Sequence, residues 1–285
     1  MQKSALVGRH LSIAGGIEKS FARAVAVGAT CFQIFSRSSR AFNSKLYTHE
    51  EIAAFKKAKA ETGITTVISH APYIINAASP TEKTRDGAHL FLKVEYQRAQ
   101  SLGLYAMVLH PGSHGGDGED VGIERVTQAL NQLCAQVEGS TLIALETMAG
   151  QGSSLGSTLE SLQKIYNKCT DKARIRFCLD TAHIFSAGYD ISTGPKFSAF
   201  LDEFDKVLGL ENLAVIHCND SMVPFDARKD RHAHIGTGTI PLDVFKALMN
   251  EPRLVHVPKI LETPDDDDIT ICEAEIALMR SLVHK

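Results

Sequence analysis

The chain of 285 residues lacks tryptophan, and its six cysteines form no C-x-x-C pair. Several of these cysteines stand inside apolar runs such as FCLD, which is typical of buried free thiols in a reducing compartment. The sequence has no run of 18 apolar residues and no secretory pattern after its first charges. We therefore predict a cytoplasmic protein with no membrane partner.

The chain also has little excess of charge of either sign. The formal net charge is −3 and the sequence pI is about 6.5, with a hydrophobic fraction of 44%. This balance argues mildly against nucleic acid as a partner, because phosphate binding usually leaves a basic signature. Bound metal ions would change that conclusion, since their charges do not appear in the sequence.

No linker rich in Pro, Gly or Ser interrupts the chain, so we predict one domain spanning 1–285. Short apolar runs alternate with amphipathic stretches, which is the pattern of successive strands and helices. The predicted strands are 5–12, 31–36, 65–70, 105–110, 141–147, 175–181, 213–218 and 259–263. The predicted helices are 17–28, 49–62, 82–102, 121–138, 157–168, 196–208, 241–250 and 269–283.

Eight strand–helix units in series favour a closed (β/α)₈ barrel over an open parallel sheet. An open doubly wound sheet usually has fewer strands and a Gly-rich turn after its first strand. The segment GRHLSIAGG (8–16) contains glycines but not the G-x-G-x-x-G order. We therefore predict a single α/β barrel with its functional site at the C-terminal ends of the strands.

Six of the predicted strands end in a residue that can bind a metal. The steps between these residues are 40, 36, 34, 37 and 45 positions, which fits one strand, one helix and two loops each time. The C-terminal ends of parallel strands meet at one rim, so six such ends predict one convergent site. The six residues are His70, His110, Glu146, Asp180, His217 and Glu262.

Three further candidate ligands lie in the loops: His183 in DTAH, and Asp230 and His232 in DRH. A single histidine at a strand end is more often a hydrogen-bonded structural group than a ligand, but nine coincident residues weaken that interpretation. Four carboxylates at one rim would repel one another unless cations balanced them. Imidazole and carboxylate together suit Zn²⁺, Fe or Mn, and nine ligands are enough for two or three ions if one carboxylate bridges.

The motifs resemble those of endonuclease IV, the metal-dependent apurinic/apyrimidinic DNA endonucleases. The resemblance covers almost the whole chain and keeps the motifs in order. The matching segments are GRHLSIAGG (8–16), HAPYIINAAS (70–79), LHPGSH (109–114), LETMAGQGSSLG (145–156), CLDTAHIFSAGYD (178–190), HCNDS (217–221), DRHAHIGTG (230–238) and LETP (261–264).

The resemblance implies a TIM barrel with a trinuclear zinc centre, with Mn²⁺ or Fe as alternatives at some sites. His70, His110 and Glu146 would hold the first ion. Glu146 would bridge to a second ion, which is also bound by Asp180, His217 and Glu262. The third ion would be held by His183, Asp230 and His232.

The resemblance also implies the reaction. It is base excision repair chemistry: hydrolysis of the phosphodiester 5′ to an abasic site in double-stranded DNA, leaving a 3′-OH, with trimming of blocked 3′ ends. Glu146 would position the attacking hydroxide and is the candidate catalytic residue. The positive charge of bound metals would remove the objection raised by the net charge. We predict no obligate protein partner and, by default, a monomer, associated with the nucleoid if the source is bacterial.

Lesion recognition is expected from loops that enter the minor groove. Tyr73 and Ile74 match the inserting pair of the family, and wedge residues of this kind fill gaps in bent DNA. The alternative is that YIIN is an apolar turn covering the barrel mouth.

Arg37, Arg40 and Arg231 are the candidate phosphate contacts at the rim. The segment SRSSRAF departs from the family after Arg40, because Ala41 and Phe42 stand where a Gln and a Trp are common. This departure puts the contact with the opposite strand in doubt, although the chemistry is unaffected.

His10, His114 and His234 are candidates for residues that orient the metal ligands from behind. A plain structural role is an equal alternative for His10.

The main alternative function is a sugar isomerase or epimerase of the xylose-isomerase-like type, with one or two divalent metals in a similar barrel. The set His183, Asp230 and His232, together with the YIIN loop, would separate the two functions. A zinc-stabilised DNA-binding module is a third class, and it fits poorly because structural zinc sites favour Cys-rich closed shells.

Overall fold

The computed structural model describes residues 5–37, 45–264 and 268–284. Eight parallel strands surround one axis, and at least one helix follows each strand before the next. The strands are β1 (Val7–Arg9), β2 (Phe32–Phe35), β3 (Val67–His70), β4 (Ala106–Leu109), β5 (Leu142–Glu146), β6 (Ile175–Asp180), β7 (Leu213–His217) and β10 (Lys259–Leu261), with β8 (Asp220–Ser221) and β9 (His232–Ala233) forming a separate antiparallel pair.

The helices cover the outside of the barrel. They are α1 (Lys19–Ala26), α2 (His49–Thr62), α3 (Glu82–Leu102), α4 (Glu119–Gln136), α5 (Leu159–Lys168), α6 (Thr181–Ser186), α7 (Gly194–Leu208), α8 (Leu242–Asn250) and α9 (Ile269–Ser281). All eight predicted strands and eight predicted helices are therefore confirmed, with differences of a few residues at their ends. The short helix α6 and the β8–β9 pair are additional.

The strands pair in the order β1-β10-β7-β6-β5-β4-β3-β2, and this order nearly closes on itself. The joint between β1 and β2 is a parallel bridge between His10 and Gln33, followed by a 2.8 Å hydrogen bond from Leu11 N to Gln33 O. Gly8 is required here, because a Cβ at this position would lie 1.7 Å from the carbonyl oxygen of Cys31. The prediction of a (β/α)₈ barrel is confirmed.

Strand alternation explains why the ligand-type residues meet. Successive side chains of a strand point to opposite faces, so residues two apart share a face. A compact cluster of buried residues from several strands includes Ile68, Ala144, Cys178, Val215 and Ile260. Each of these five residues stands two positions before a predicted ligand, so the same face that fills the barrel carries the ligands at its rim.

The rest of the apolar core lies between the strands and the helices. It includes Phe55 of α2 and Phe204 of α7, both fully buried. At the opposite end of the barrel, the buried Lys259 donates from Nζ to the carbonyl oxygens of Leu254 and Val257, which satisfies its charge without a carboxylate. No helix within the described ranges is long and apolar enough to cross a membrane.

Candidate metal centre

Glu146, the last residue of β5, lies at the centre of the rim and is fully buried. Its Oε2 is 3.1 Å from His70 Nε2 and 3.2 Å from His110 Nε2. Its Oε1 is 3.0 Å from His217 Nδ1 and 3.4 Å from His183 Nδ1. One carboxylate thus contacts imidazoles from four different segments, with one pair on each oxygen.

Asp180 ends β6 and also caps the helix that follows. Its Oδ1 accepts a 2.9 Å hydrogen bond from the His183 amide at the start of α6, which leaves Oδ2 facing the site. That oxygen lies 3.8 Å from His217 Nδ1 and 3.6 Å from His232 Nε2. The strand register pairs Asp180 directly with His217, so both reach the rim at the same level.

Asp230 comes from the loop before β9, and His232 is the first residue of that strand. Asp230 Oδ1 is 3.2 Å from His232 Nε2, and Asp230 Oδ2 is 3.3 Å from His183 Nε2. The carboxylate of Asp230 is 41% exposed, so this part of the site opens to solvent. The three residues inferred from the loops therefore lie together.

Glu262 follows β10 and completes the set. Its Oε2 is 3.1 Å from His217 Nδ1, and its backbone carbonyl oxygen is 3.0 Å from His232 Nδ1. All nine predicted ligands thus meet at one rim, in contacts that link each residue to at least one other.

Burial and the nearby carboxylates shift the pKa values of the imidazoles in opposite directions. Burial alone would lower the pKa of His70, but a hydrogen bond and the charge of Glu146 outweigh it, so the pKa is raised above 6.5. The pKa values of His183 and His217 are also raised well above 6.5, because nearby anionic groups outweigh burial. The protonated imidazoles therefore supply the positive charge beside the carboxylates.

The carboxylates show the matching shifts. Burial would raise the pKa of Glu146, but His217 and His110 hold it well below 4.5. Burial is likewise outweighed at Asp230, whose pKa falls to about 2 beside His183 and His232, and at Glu262, whose pKa is lowered beside His217. These three carboxylates therefore stay ionised and must be balanced by cations.

The geometry fits metal ions. Three overlapping groups bring one ligand atom per residue within 4.8 Å of one another: His70–His110–Glu146, Glu146–Asp180–His217–Glu262 and Asp180–His183–His232. The buried Nε2 atoms of His183 and His232 lie 3.3 and 3.2 Å from the Asp230 oxygens without hydrogen-bond geometry, as expected of imidazole and carboxylate groups that face a common metal. Cys178 also lies near Glu146 and His217, but burial raises its thiol pKa to about 12, which disfavours the thiolate.

Two supporting residues were missed from the sequence. Gln33 on β2 contacts His217 Nε2 through Oε1 at 2.9 Å and Glu262 Oε1 through Nε2 at 2.5 Å. Asn219 donates to Asp180 Oδ2 at 2.7 Å and accepts from the Glu262 amide at 2.7 Å. The only sequence signal for Gln33 is a polar residue within the apolar run FQIF, and for Asn219 its place just after a strand-end histidine.

The candidate DNA contacts differ in exposure. Tyr73 is 77% exposed and Ile74 50% exposed, just after His70, and Arg231 is exposed beside His232. Arg37 is buried, with its Nε 3.0 Å from Glu95 Oε1 and its guanidinium over the ring of Phe91, so its charge is balanced inside the protein. Contact between Arg37 and DNA stays a prediction that this geometry does not favour.

Arg40, with Ala41 and Phe42, lies outside the described residues.

The three candidate supporting histidines have different surroundings. His10 lies beside Glu262, 3.9 Å from Nδ1 to Oε1, and burial lowers its pKa to about 4. His114 Nδ1 accepts the Gly118 amide at 3.1 Å, and His234 Nδ1 is 3.2 Å from Glu275 Oε1. Support of the metal ligands by these three residues stays a prediction.

Comparison with known proteins places this site in context. Residues 21–282 match the family model of the xylose isomerase-like TIM barrel. The chain is 42% identical over 278 residues to the probable endonuclease 4 of Chloroflexus aggregans, covering 97% of each chain. It is 44% identical over 277 residues to the probable endonuclease 4 of Trichlorobacter lovleyi, covering 97% of this chain and 99% of that protein.

Two solved structures extend the comparison. Endonuclease IV from Thermus thermophilus superposes with a TM-score of 0.85 at 30% identity, covering 97% of this chain and 98% of that one. A D-tagatose 3-epimerase-like protein superposes with a TM-score of 0.72 at 17% identity, covering 97% of this chain and 96% of that one. The second similarity shows the fold alone.

Proposed function

Because this chain belongs to the endonuclease IV family, we propose that it is a DNA repair endonuclease. It hydrolyses the phosphodiester 5′ to an abasic site in double-stranded DNA and leaves a 3′-OH. The observation that carries this proposal is the convergence of nine histidines and carboxylates at the barrel rim, with Glu146 and Asp180 at its centre. Removal of blocked 3′ ends is proposed as a second reaction of the same site.

Zinc is the proposed metal, in three ions. His70 and His110 would hold the first ion with Glu146, which would bridge to the second ion held also by Asp180, His217 and Glu262. His183, Asp230 and His232 would hold the third. The mixed imidazole and carboxylate donors support zinc. Asp230 lies 3.3 Å from His183 Nε2 and 3.2 Å from His232 Nε2, and Asp180 lies close to the same two histidines.

Bound zinc would supply an activated water and neutralise the charge that develops on the phosphate. The protein side chains fix the reaction geometry around it. Glu146 is buried and held by imidazoles on both oxygens, so it can orient the attacking water without moving.

Charge supports DNA as the substrate once metal is bound. Three Zn²⁺ ions would bring six positive charges to four ligand carboxylates, so the rim would be net positive although the chain carries −3. Arg231 adds an exposed positive charge next to His232. Tyr73 and Ile74 offer exposed apolar surface beside the site, suited to filling the gap left by a missing base.

The sugar epimerase alternative shares the fold but explains less of the site. A one- or two-metal enzyme does not need the additional group of His183, Asp230 and His232, whose contacts with each other are 3.2–3.3 Å. An exposed tyrosine beside the ligands also suits a long substrate better than a closed sugar pocket.

The decisive experiment is incision of a duplex oligonucleotide that carries one tetrahydrofuran abasic analogue. We expect cleavage on the 5′ side of the lesion, loss of cleavage after treatment with a zinc chelator, and recovery on adding Zn²⁺. An undamaged duplex is the substrate control, and a ketohexose epimerisation assay on the same preparation tests the alternative. Epimerisation without chelator-sensitive incision would overturn the proposal.

A further inference from the structure

Glu275, on the outer helix α9, is a buried carboxylate that is not among the predicted ligands. Its residue is 6% exposed, and both of its oxygens point towards loops at the barrel rim. These loops are the segments 262–264 and 232–240, which carry Glu262 and His232.

The oxygen Oε2 serves the first loop. It accepts a 2.5 Å hydrogen bond from the hydroxyl of Thr263, the residue directly after Glu262. The same oxygen is 3.4 Å from Nη1 of the fully buried Arg9 on β1, and Arg9 Nη2 donates to the carbonyl oxygen of Thr263 at 3.5 Å. Arg9 thus balances the buried charge of Glu275 and holds the same loop.

The oxygen Oε1 serves the second loop. It accepts the amide of Ile235 at 3.1 Å and lies 3.2 Å from His234 Nδ1. His232 stands three residues before Ile235, and its Nδ1 is 3.0 Å from the carbonyl oxygen of Glu262. The two loops therefore meet at the site and are joined again behind it through one carboxylate.

We propose that Glu275 is a positioning residue of the metal centre, which fixes His232 and Glu262 relative to each other. This inference rests on the proposed metal centre, in which these two ligands belong to different ions. An ionised carboxylate can accept hydrogen bonds on both oxygens, whereas an amide has one acceptor oxygen and a donor group. Glu275→Gln would therefore leave one of the two loops without its acceptor, at almost unchanged volume.

Glu95 offers a matched control. It is also a buried carboxylate on an outer helix, 1% exposed on α3, and it is bound by Arg37 at 3.0 Å and Arg98 at 3.3 Å. Its hydroxyl partner is Ser36. None of these residues is adjacent in sequence to a predicted ligand, so Glu95→Gln removes a comparable ion pair without touching a ligand loop.

The test is a competition titration of Zn²⁺ against a chromogenic chelator, with the full-length protein, Glu275→Gln and Glu95→Gln. Changes behind metal ligands typically weaken binding about 10–100-fold. We expect a loss of this size at one or two sites in Glu275→Gln, and parental affinity in Glu95→Gln if that protein remains folded. The visible absorption of bound Co²⁺ should change only in Glu275→Gln, because a stability defect alone does not alter ligand geometry.

Thr263→Val is a milder variant that keeps Arg9 and Glu275 paired and removes only the hydroxyl donated to Glu275. It should weaken Zn²⁺ binding in the same direction but less. Parental affinities and parental Co²⁺ spectra in both Glu275→Gln and Thr263→Val would overturn the inference, and so would an equal loss in Glu95→Gln. A parent that binds zinc without incising abasic DNA refutes the proposed reaction alone, because the zinc comparison can still be made.

Discussion

The protein buries two groups of charged side chains that balance their carboxylates in different ways. The rim cluster consists of the nine predicted ligands, in which the ion pairs of the four carboxylates within the described ranges are with imidazoles. The outer cluster consists of Glu95, Arg37 and Arg98, in which one carboxylate faces two guanidinium groups. Both are largely dry, so both must satisfy their charges internally.

The difference lies in whether the positive partner can be exchanged. Arginine stays protonated at any pH a protein meets, so the outer cluster is permanently complete. Imidazole loses its proton near neutral pH and then offers a lone pair to a metal. The rim cluster can therefore trade protons for metal ions, whereas the outer cluster can only stabilise the fold.

The largest expected effect comes from making the same isosteric change in each cluster. Glu146→Gln should lower the rate of abasic-site incision by about 10²-fold or more, because the group that positions the attacking water is lost. The barrel should remain folded, as measured by circular dichroism. Glu203→Gln, at an exposed position on α7, is the control and should incise at the parental rate. Retained incision in Glu146→Gln would contradict the role of this residue.

Metal removal should invert the pH dependence of stability. Without metal, protonated His70, His183 and His217 stabilise the folded state, because their pKa values are raised above 6.5. This contribution is complete below pH 6.5 and is lost as the pH rises through the raised values, so the unfolding free energy of chelated protein should fall.

The zinc-loaded protein should show the opposite trend over the same interval, because ligation requires neutral imidazole and binding strengthens with pH. Urea denaturation of the two forms between pH 6 and 9, in roughly one-unit steps, measures both slopes. In the chelated form the lowered pKa values of Glu146 and Glu262 contribute stability above pH 4.5, and this contribution is lost as the pH falls through the lowered values. If the unfolding free energy changed with pH equally in the two forms, the rim cluster would not exchange protons for metal ions, and its difference from the outer cluster would disappear.

A smaller effect is expected at the exposed residues beside the rim. Tyr73→Ala should weaken binding to abasic duplex by about 1–3 kcal/mol, the usual value of a lost aromatic–base contact. Since Tyr73 is 77% exposed, zinc content and thermal stability should not change. Tyr105→Ala is a matched control, because that tyrosine is 40% exposed but precedes β4, at the opposite end of the barrel. If the parent and Tyr73→Ala had equal KM values for abasic duplex, the YIIN segment would be only an apolar turn that covers the barrel mouth.

The smallest effect concerns a single rim charge. Arg231→Ala should reduce the slope of log affinity against log salt concentration by about one, as for one lost phosphate contact. The comparison is Arg176→Ala, near the N-terminal end of β6, which should leave the slope unchanged. An unchanged slope in Arg231→Ala would exclude this residue from phosphate binding.

The sequence predicts the barrel, and the convergence of the nine candidate ligands at its rim, because both depend on local pattern. Alternation along a strand and a polar residue at its last position are visible in a run such as TLIALE, and the parallel register then brings these positions together. Gln33, Asn219 and Glu275 could not be predicted in the same way. Gln33 reaches His217 from 184 positions away, and Glu275 reaches Ile235 from 40, so only the folded chain defines their partners.

Arg37 shows a different limit of the sequence. An arginine just after a strand end is typical of a phosphate contact, but in the fold Arg37 forms an ion pair with Glu95 of α3. Helix α6 was missed for a related reason, since it is too short to show a helical period. It begins because Asp180 caps the amide of His183, which the sequence displays only as two ligand candidates three residues apart.

At the seam between β1 and β2, one residue, Gln33, takes part both in closing the barrel and in supporting the candidate metal ligands. The backbone there is joined through the bridge of His10 and Gln33, with hydrogen bonds from Leu11 and Thr30 on either side of it. The side-chain amide of Gln33 then contacts His217 at the end of β7 and Glu262 just after β10. A metal ion bound by His217 and Glu262 would fix the residues that Gln33 contacts. We therefore expect the β1–β2 seam to open and the metal to be released together.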